Sequence, residues 1–387
     1  MSCPPHLRKL HAVFERWLHI PSFDTLSVVA ATYLANQLEG SRLWLCLIGP
    51  SSCGKTTMAE SLLGLPHTHQ INSLTTGAFS SGHVSRDNPS ARFGMFQTLS
   101  SDNHLLIIPD FSSILRKDPR IRGEIFGQLR SVYDGSWKQT FGTGVEVDWK
   151  GKIGLVACAT PNFEREISSE VAFGERFLYW KMPPVDSFHV GERSLRNSER
   201  TDEMRDDLRK IMKSTLSAVP LLHELRLPLG VRNLIAKETV FVALARTPIP
   251  RDPYSHEILD IPRPESTARI SQQLGQLLKG LLVLNQTEEV SEEMMEIAET
   301  CAYSCIPDPR LRLMSLAGGR AFDFQTAQRA SKLPGKLCRR TLEDLTILEL
   351  LQVERGAKTN AYVWQAAKEW MPFFRRVKAV FSRIGYW

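Results

Sequence analysis

The chain has 387 residues, 42% hydrophobic and 23% charged, with a formal net charge of +6 and a pI near 8.9, a length that points to two or three domains rather than one core. No apolar run approaches the ~18 residues of a membrane span, and the first 18 residues interleave Arg8, Lys9, Glu15 and Arg16 with apolar side chains, so no signal peptide, no anchor and a cytoplasmic location are expected. Seven scattered cysteines (Cys3, Cys46, Cys53, Cys158, Cys301, Cys305 and Cys338) read as reduced thiols, and neither Cys301/Cys305 nor His67/His69 has a partner pair at metal spacing.

In chain order, residues 7–17 and 24–38 read as helices, the second with Val28, Ala31, Leu34, Ala35 and Leu38 on its apolar face. The apolar run 43–48 then meets Gly49, Pro50, Ser51, Ser52, Cys53, Gly54, Lys55, Thr56 and Thr57, and an amphipathic stretch follows over 56–63. A buried strand, a glycine-bounded G-x-x-x-x-G-K-T loop and a helix start form the context in which backbone N–H groups can surround a polyphosphate. Lys55 would supply a point charge at the β- and γ-phosphates and Thr56 a hydroxyl for Mg²⁺, so ATP and Mg²⁺ are the expected ligands. A structural turn between core elements is the blander reading, and it leaves Lys55 without a purpose.

Residues 75–96 read as loop or short hairpin, and the run 104–108 ends at Pro109-Asp110 as a central parallel strand delivering a carboxylate toward Mg²⁺. A helix over 121–133, a hairpin over 137–149 carrying Lys138, and a buried strand over 153–159 ending at Thr160-Pro161-Asn162 come next. Gly174-Glu175-Arg176-Phe177 leads into a further strand. The dense mixed charge of 193–209 reads as an exposed helix or linker, with a domain seam near 185–215, and helices follow over 215–245 and 266–284, Arg269 in the first turn of the latter.

The tail from Gln328 to Trp387 has twelve Lys/Arg against five Asp/Glu, a net +7 that leaves about −1 for the rest of the chain. A short helix, a turn at Pro334-Gly335, a second helix over 336–348 and a two-stranded wing around Gly356 follow the order of a winged helix-turn-helix. Lys336, Arg339 and Arg340 would face solvent there, suited to DNA phosphates, although such modules also bind proteins.

The loop, the acid-ending strand, the hairpin before the next strand, Gly-Glu-Arg-Phe, a helical lid opening on Pro-Glu-Ser-Thr-Ala-Arg and the basic tail together resemble the AAA+ ATPases. The likeness is greatest to MCM-type helicases and related ATP-binding proteins of phages and mobile elements. It implies an α/β P-loop core with a parallel sheet, a helical lid and a C-terminal winged helix, divided as 1–24, 25–190, 191–315 and 316–387. It also implies that Thr160 senses the γ-phosphate, Arg176 is the arginine finger offered to a neighbour, Arg269 is the sensor arginine of the lid, and Lys138 touches DNA in a pore. The expected function is a DNA translocase that self-associates into a ring, a hexamer being one such assembly, with a loader protein as an expected partner. Family members carry two adjacent acids where Pro109-Asp110-Phe111 has one. Either Asp110 does both jobs, or it is the water-orienting base alone, or Glu124 or Asp134 substitutes. Slow hydrolysis is therefore a second expectation, and with it an ATP-gated switch that binds a protein partner in a transposition or defence complex. A small-molecule kinase would need neither the finger nor the tail.

Overall fold

The structure is a computed structural model, and it describes residues 4–20, 22–81, 94–100, 102–164, 176–222, 225–252, 254–355 and 361–385. The chain divides into two compact units: one of residues 1–177, 185–226 and 276–290, the other of residues 178–184, 227–275 and 291–387.

The first unit opens with α1 (Pro5–Trp17), whose buried Leu7, Leu10, Phe14 and Trp17 recur at helical spacing. Helix α2 (Asp24–Gln37) is buried at Thr25, Leu26 and every position from Val28 to Asn36, the signature of a helix enclosed by core on all sides. Asn36 is its buried amide, and it acts as a substitute strand: its side chain accepts from Leu43 N (3.0 Å) and donates to Leu43 O (3.0 Å). The start of β1 (Trp44–Ile48) is thereby pinned, and all five strand residues are buried.

Next come α3 (Lys55–Glu60), β2 (Thr68–Gln70), β3 (Asn103–Ile108), α4 (Ser112–Leu115) and α5 (Pro119–Asp134), the last capped by Asp118 and stopped by Gly135 at φ +78°. Strands β4 (Ser136–Thr140) and β5 (Glu146–Lys150) pair as a separate antiparallel hairpin with Lys138 opposite Asp148. Strand β6 (Lys152–Ala159) completes this unit's parallel sheet in the order β2-β3-β6-β1, and β7 (Leu178–Lys181) is counted with the second unit. The register sets Ile48 beside Ala159 and Ile108 beside Ala157, so the C-terminal ends of β1, β6 and β3 lie at one edge. Helices α6 (Ser187–Arg196) and α7 (Thr201–Ser217) follow.

Close packing has a test in α9 (Ala268–Asn285), whose part from Gln276 onward belongs to this unit. A Cβ built on Gly280 would lie 2.3 Å from the Ala31 carbonyl oxygen, and Gln276 donates to Ala35 O at 2.7 Å. Gly280→Ala must push two helices apart, and a loss of about 2 kcal/mol is expected in a urea titration. An unchanged midpoint would mean the contact is loose.

The second unit holds α8 (Leu229–Arg246), the first turns of α9, α10 (Glu292–Ser304) and α11 (Asp308–Ala317). It continues with β8 (Phe322–Asp323), α12 (Phe324–Ser331), α13 (Gly335–Ile347), β9 (Leu351–Arg355), β10 (Tyr362–Ala366) and α14 (Met371–Ile384), the small sheet running β8-β10-β9. Buried Phe241 centres an aromatic cluster, stacked on Phe373 at 5.1 Å and edge-on to Phe374 at 5.7 Å.

Of the two readings of residues 193–209, helix is the one the structure has: α6 buries none of its residues, α7 turns Leu208 and, beyond 209, Ile211, Met212, Thr215 and Leu216 inward, and α1 is anchored there by the Trp17 indole N–H donating to Asp207 at 3.2 Å. The N-terminal helix, strands β1, β2, β3 and β6, and α6–α7 fall in one compact unit. One expectation needs correction. The expected helix over 215–245 is interrupted between Ser217 and Leu229, where Pro220 and Pro228 remove backbone donors and disfavour helix in the residues before them. Part of the loop expected at 75–96, residues 82–93, lies outside the described residues, as do Gly174 and Glu175. Among the described residues, no helix is long and apolar enough to cross a membrane.

Candidate functional site

Hydrogen bonds tie the three strand ends together: Gly49 N donates to Ala159 O (3.2 Å) and Phe111 N to Cys158 O (2.9 Å). Gly49 to Thr57, Thr160 and Asp110 therefore lie along the same sheet edge, where ligands of parallel sheets bind. Asp110 is exposed at the end of β3, separated from β1 by β6, which at strand spacing puts it about 10 Å from the loop. Thr160 N donates to the Ser112 hydroxyl at 3.1 Å, and the two hydroxyls are 3.5 Å apart, so α4 holds the threonine in place.

The loop between β1 and α3 turns through Ser52 (φ 63°) and Gly54 (φ 86°), a left-handed pair that only the glycine adopts without strain. Lys55 is 8% exposed, and its ammonium donates to Gly49 O (2.8 Å) and Pro50 O (2.5 Å), with Cys53 Sγ at 3.6 Å. Burial pushes the Cys158 thiol up to about 12, an effect opposed by the Lys55 charge and a hydrogen bond with Thr56, which places both residues beside the end of β6. That thiol stays protonated and is a packing group rather than a nucleophile.

Over the loop lies a cavity of 300 Å³. Its floor runs from Ser52 to Met58, and its walls are Trp17 to His19 after α1, Val190, Arg193 and Ser194 of α6, Asn197, and Thr201 and Met204 of α7. Those walls are tied to each other. Asn197 donates to Trp17 O (3.0 Å), Arg193 donates to Leu18 O (3.2 Å) and to Glu15 O, and the His19 and His189 rings stack at 5.3 Å. The strap Trp17–His19, Arg193 and Asn197 escape a reading that weighs charge alone. Their signal was nonetheless present: Leu208, Ile211, Met212, Thr215 and Leu216 repeat at i, i+3, i+4, i+7 and i+8, which marks a packed helix.

The remaining expected residues lie elsewhere. Arg176 is 8% exposed, with its guanidinium 5.6 Å over the Tyr133 ring of its own chain. It is stacked inward in this structure, and an arginine finger would have to leave that place. Arg269 sits half-buried in the first turn of α9, in the part belonging to the second unit. Lys138 is exposed on β4, as are Lys336, Arg339 and Arg340 on α13. Among the described residues there is no group of three or more His, Cys, Asp or Glu placed to hold a metal ion.

Comparison with protein-family models finds no match, and comparison with curated proteins finds none. The functional reading therefore rests on the site itself.

Proposed function

We propose that the chain is an ATPase of AAA+ character that binds Mg²⁺-ATP in the cavity over Ser52–Met58 and uses the nucleotide to act on DNA. The observation that carries this reading is Lys55, a nearly buried ammonium lining a 300 Å³ cavity, whose partners among the described residues are two carbonyls of its own loop and the Cys53 sulfur. Phosphate oxygens are better partners for that charge than neutral carbonyls. The residues present fit the ligand: a Cβ at Gly54 would meet nothing nearer than Met58 Cε at 3.9 Å, so the floor is open to a phosphate.

In this reading Lys55 moves from Gly49 O and Pro50 O to the β- and γ-phosphates. Thr56 and, through water, Asp110 would hold Mg²⁺, which would supply charge neutralisation at the transferred phosphoryl group. Thr160, oriented by Ser112, would reach the γ-phosphate from the end of β6. The strap Trp17–His19 covers the base side. Arg176 is the candidate cation for the transition state in a neighbouring copy of a ring, and Arg269 keeps the sensor role that the resemblance implies. The order α12, turn, α13, β9, β10 in the second unit supports the winged-helix part of this reading, and the exposed Lys336, Arg339 and Arg340 suit phosphate contact.

A steady-state assay tests this: hydrolysis that rises on addition of single-stranded DNA supports the motor reading, and absence of both nucleotide binding and hydrolysis overturns it. The inward stacking of Arg176 on Tyr133 favours a second reading, a nucleotide-gated switch, for which tight binding with little turnover is the expected result. For either reading the strap matters. Asn197→Ala leaves the Trp17 carbonyl without its donor, and a hydrogen bond worth about 1 kcal/mol corresponds to a roughly fivefold weaker nucleotide Kd by fluorescent-nucleotide titration. Unaltered affinity would separate the strap from the site.

A further inference from the structure

The second unit contains a groove that neither the nucleotide site nor a winged helix on its own explains. It measures 980 Å³ and lies between the first turns of α13 and a tight turn over residues 251–258, with Phe324 between them. The described residues of the turn are bonded to one another: Arg251 and Ile258 pair as an antiparallel bridge, Asp252 N donates to Glu257 O (2.9 Å), and the Asp252 carboxylate accepts from Tyr254 N (2.8 Å) and Ser255 N (2.7 Å).

The turn is also bolted to α13. Arg251, with a side chain 7% exposed, pairs with Asp344 at 2.6 Å and Glu343 at 2.8 Å, and Arg310 reaches the same Asp344 at 3.2 Å. Those pairs engage one of the groove's two carboxylates, Glu343, and leave Glu257 as the other. The groove lining has four Lys/Arg (Arg251, Lys336, Arg339, Arg340) against two carboxylates (Glu257, Glu343), and Glu343 is taken by Arg251. Lys336, Arg339 and Arg340 remain exposed on one helix face, Arg339 fixed 5.1 Å over the Phe324 ring. At the tip of the turn Tyr254 is 92% exposed, an aromatic ring presented to solvent on a fixed backbone.

We propose that this groove holds a single-stranded nucleic acid, its phosphates against Lys336, Arg339 and Arg340 and one base stacked on Tyr254. The proposal rests on reading the second unit as the nucleic-acid side of the protein. A row of cations neutralises a polyanion of any sequence, and a ring stacks on any base because every base has a π-face. In a duplex the bases already stack on each other, so an exposed tyrosine gains most from a strand whose bases are open. An acidic peptide would satisfy the cations but would leave Tyr254 without a role.

The test is fluorescence anisotropy of the full chain with a labelled 20-mer of thymidylate and with a 20-base-pair duplex, run beside ATP hydrolysis. Tyr254→Ala should weaken the single strand about tenfold while leaving duplex binding, ATP turnover and melting temperature unchanged, and Tyr254→Phe should restore binding. Lys336→Ala/Arg339→Ala/Arg340→Ala should weaken both probes and lower the log–log salt slope for the single strand by about 2, from three phosphate contacts at about 0.7 each. Wild-type affinity in Tyr254→Ala, or in the triple variant, overturns the proposal, and so does displacement of the single strand by polyglutamate to the same extent from wild type and Tyr254→Ala. If the chain hydrolyses ATP without binding the 20-mer, the groove assignment falls and the nucleotide site stands. Binding the 20-mer and responding to the variants as stated, but without ATP binding, upholds the groove and removes the ATPase reading.

Discussion

Lys55→Ala is expected to lower ATP turnover by at least about 100-fold, the effect of removing one preorganised charge from the region where phosphoryl charge develops. In the structure the same ammonium also satisfies Gly49 O and Pro50 O, so the alanine variant loses a loop tether as well as a charge. Lys55→Gln separates the two. Its amide can still donate to a loop carbonyl but carries no charge, so it should keep the melting temperature and lose turnover as fully as alanine does. Turnover that survives in Lys55→Gln would assign the lysine to holding the loop and would remove it from the chemistry. Under the switch reading the same pair of variants is followed by nucleotide Kd in place of turnover.

The largest expected effect on stability lies in the second unit. Arg376 is shared by Glu238, 2% exposed at its side chain, and by Glu299 at 2.8 Å. Burial and the neighbouring Glu299 carboxylate push Glu238 up to about 8, against the pull of Arg376, so Glu238 holds a proton at neutral pH. Arg376→Ala leaves that pair without its cation. A loss of about 3 kcal/mol is expected, the lower end for a broken buried pair because Arg376 keeps 35% of its side chain exposed. The sign of the pH dependence follows from proton counts. Between about pH 4.5 and pH 8 the folded chain binds a proton at Glu238 that the unfolded chain has released, so this group's contribution is largest at the acid end of the window and is lost as pH rises through it. The Arg376→Ala deficit should accordingly be greater at pH 8 than at pH 5, and Glu299→Gln should flatten the slope of the wild-type protein. Urea titrations at the two pH values decide it, and a deficit that shrinks toward pH 8 contradicts the assignment.

Strands β1, β3 and β6 were legible because each is a run of apolar residues between turn signals, and the loop after β1 because its glycine and lysine spacing has a mechanical meaning. The helix–turn–helix and hairpin of the tail were legible from Pro334-Gly335 and from the alternation on either side of residue 356. Tertiary closure was not. Nothing local in Trp17-Leu18-His19 says that it crosses the loop, because the bonds that put it there come from Arg193 and Asn197, about 175 residues later. The charge of 193–209 masks a helix whose apolar face is narrow and whose polar face is long. The Asn36 clamp on Leu43 and the Arg251–Asp344 bolt are likewise pairings of distant or non-periodic residues, which spacing rules do not reach. Arg176 illustrates the converse: a motif position suggests a role facing outward, and the ring of Tyr133 holds the side chain inward.

The central claim is that one cavity, floored by Ser52–Met58 and walled by the strap and α6, is where this chain binds Mg²⁺-ATP. Hydrogen exchange on the full-length protein with and without a non-hydrolysable ATP analogue and Mg²⁺ tests it directly. Protection at residues 49–58 together with 17–19 and 187–197, lost in Lys55→Gln, is the result expected. Nucleotide that leaves all three segments exchanging as before, or that protects a different part of the chain, would contradict the site and the function built on it.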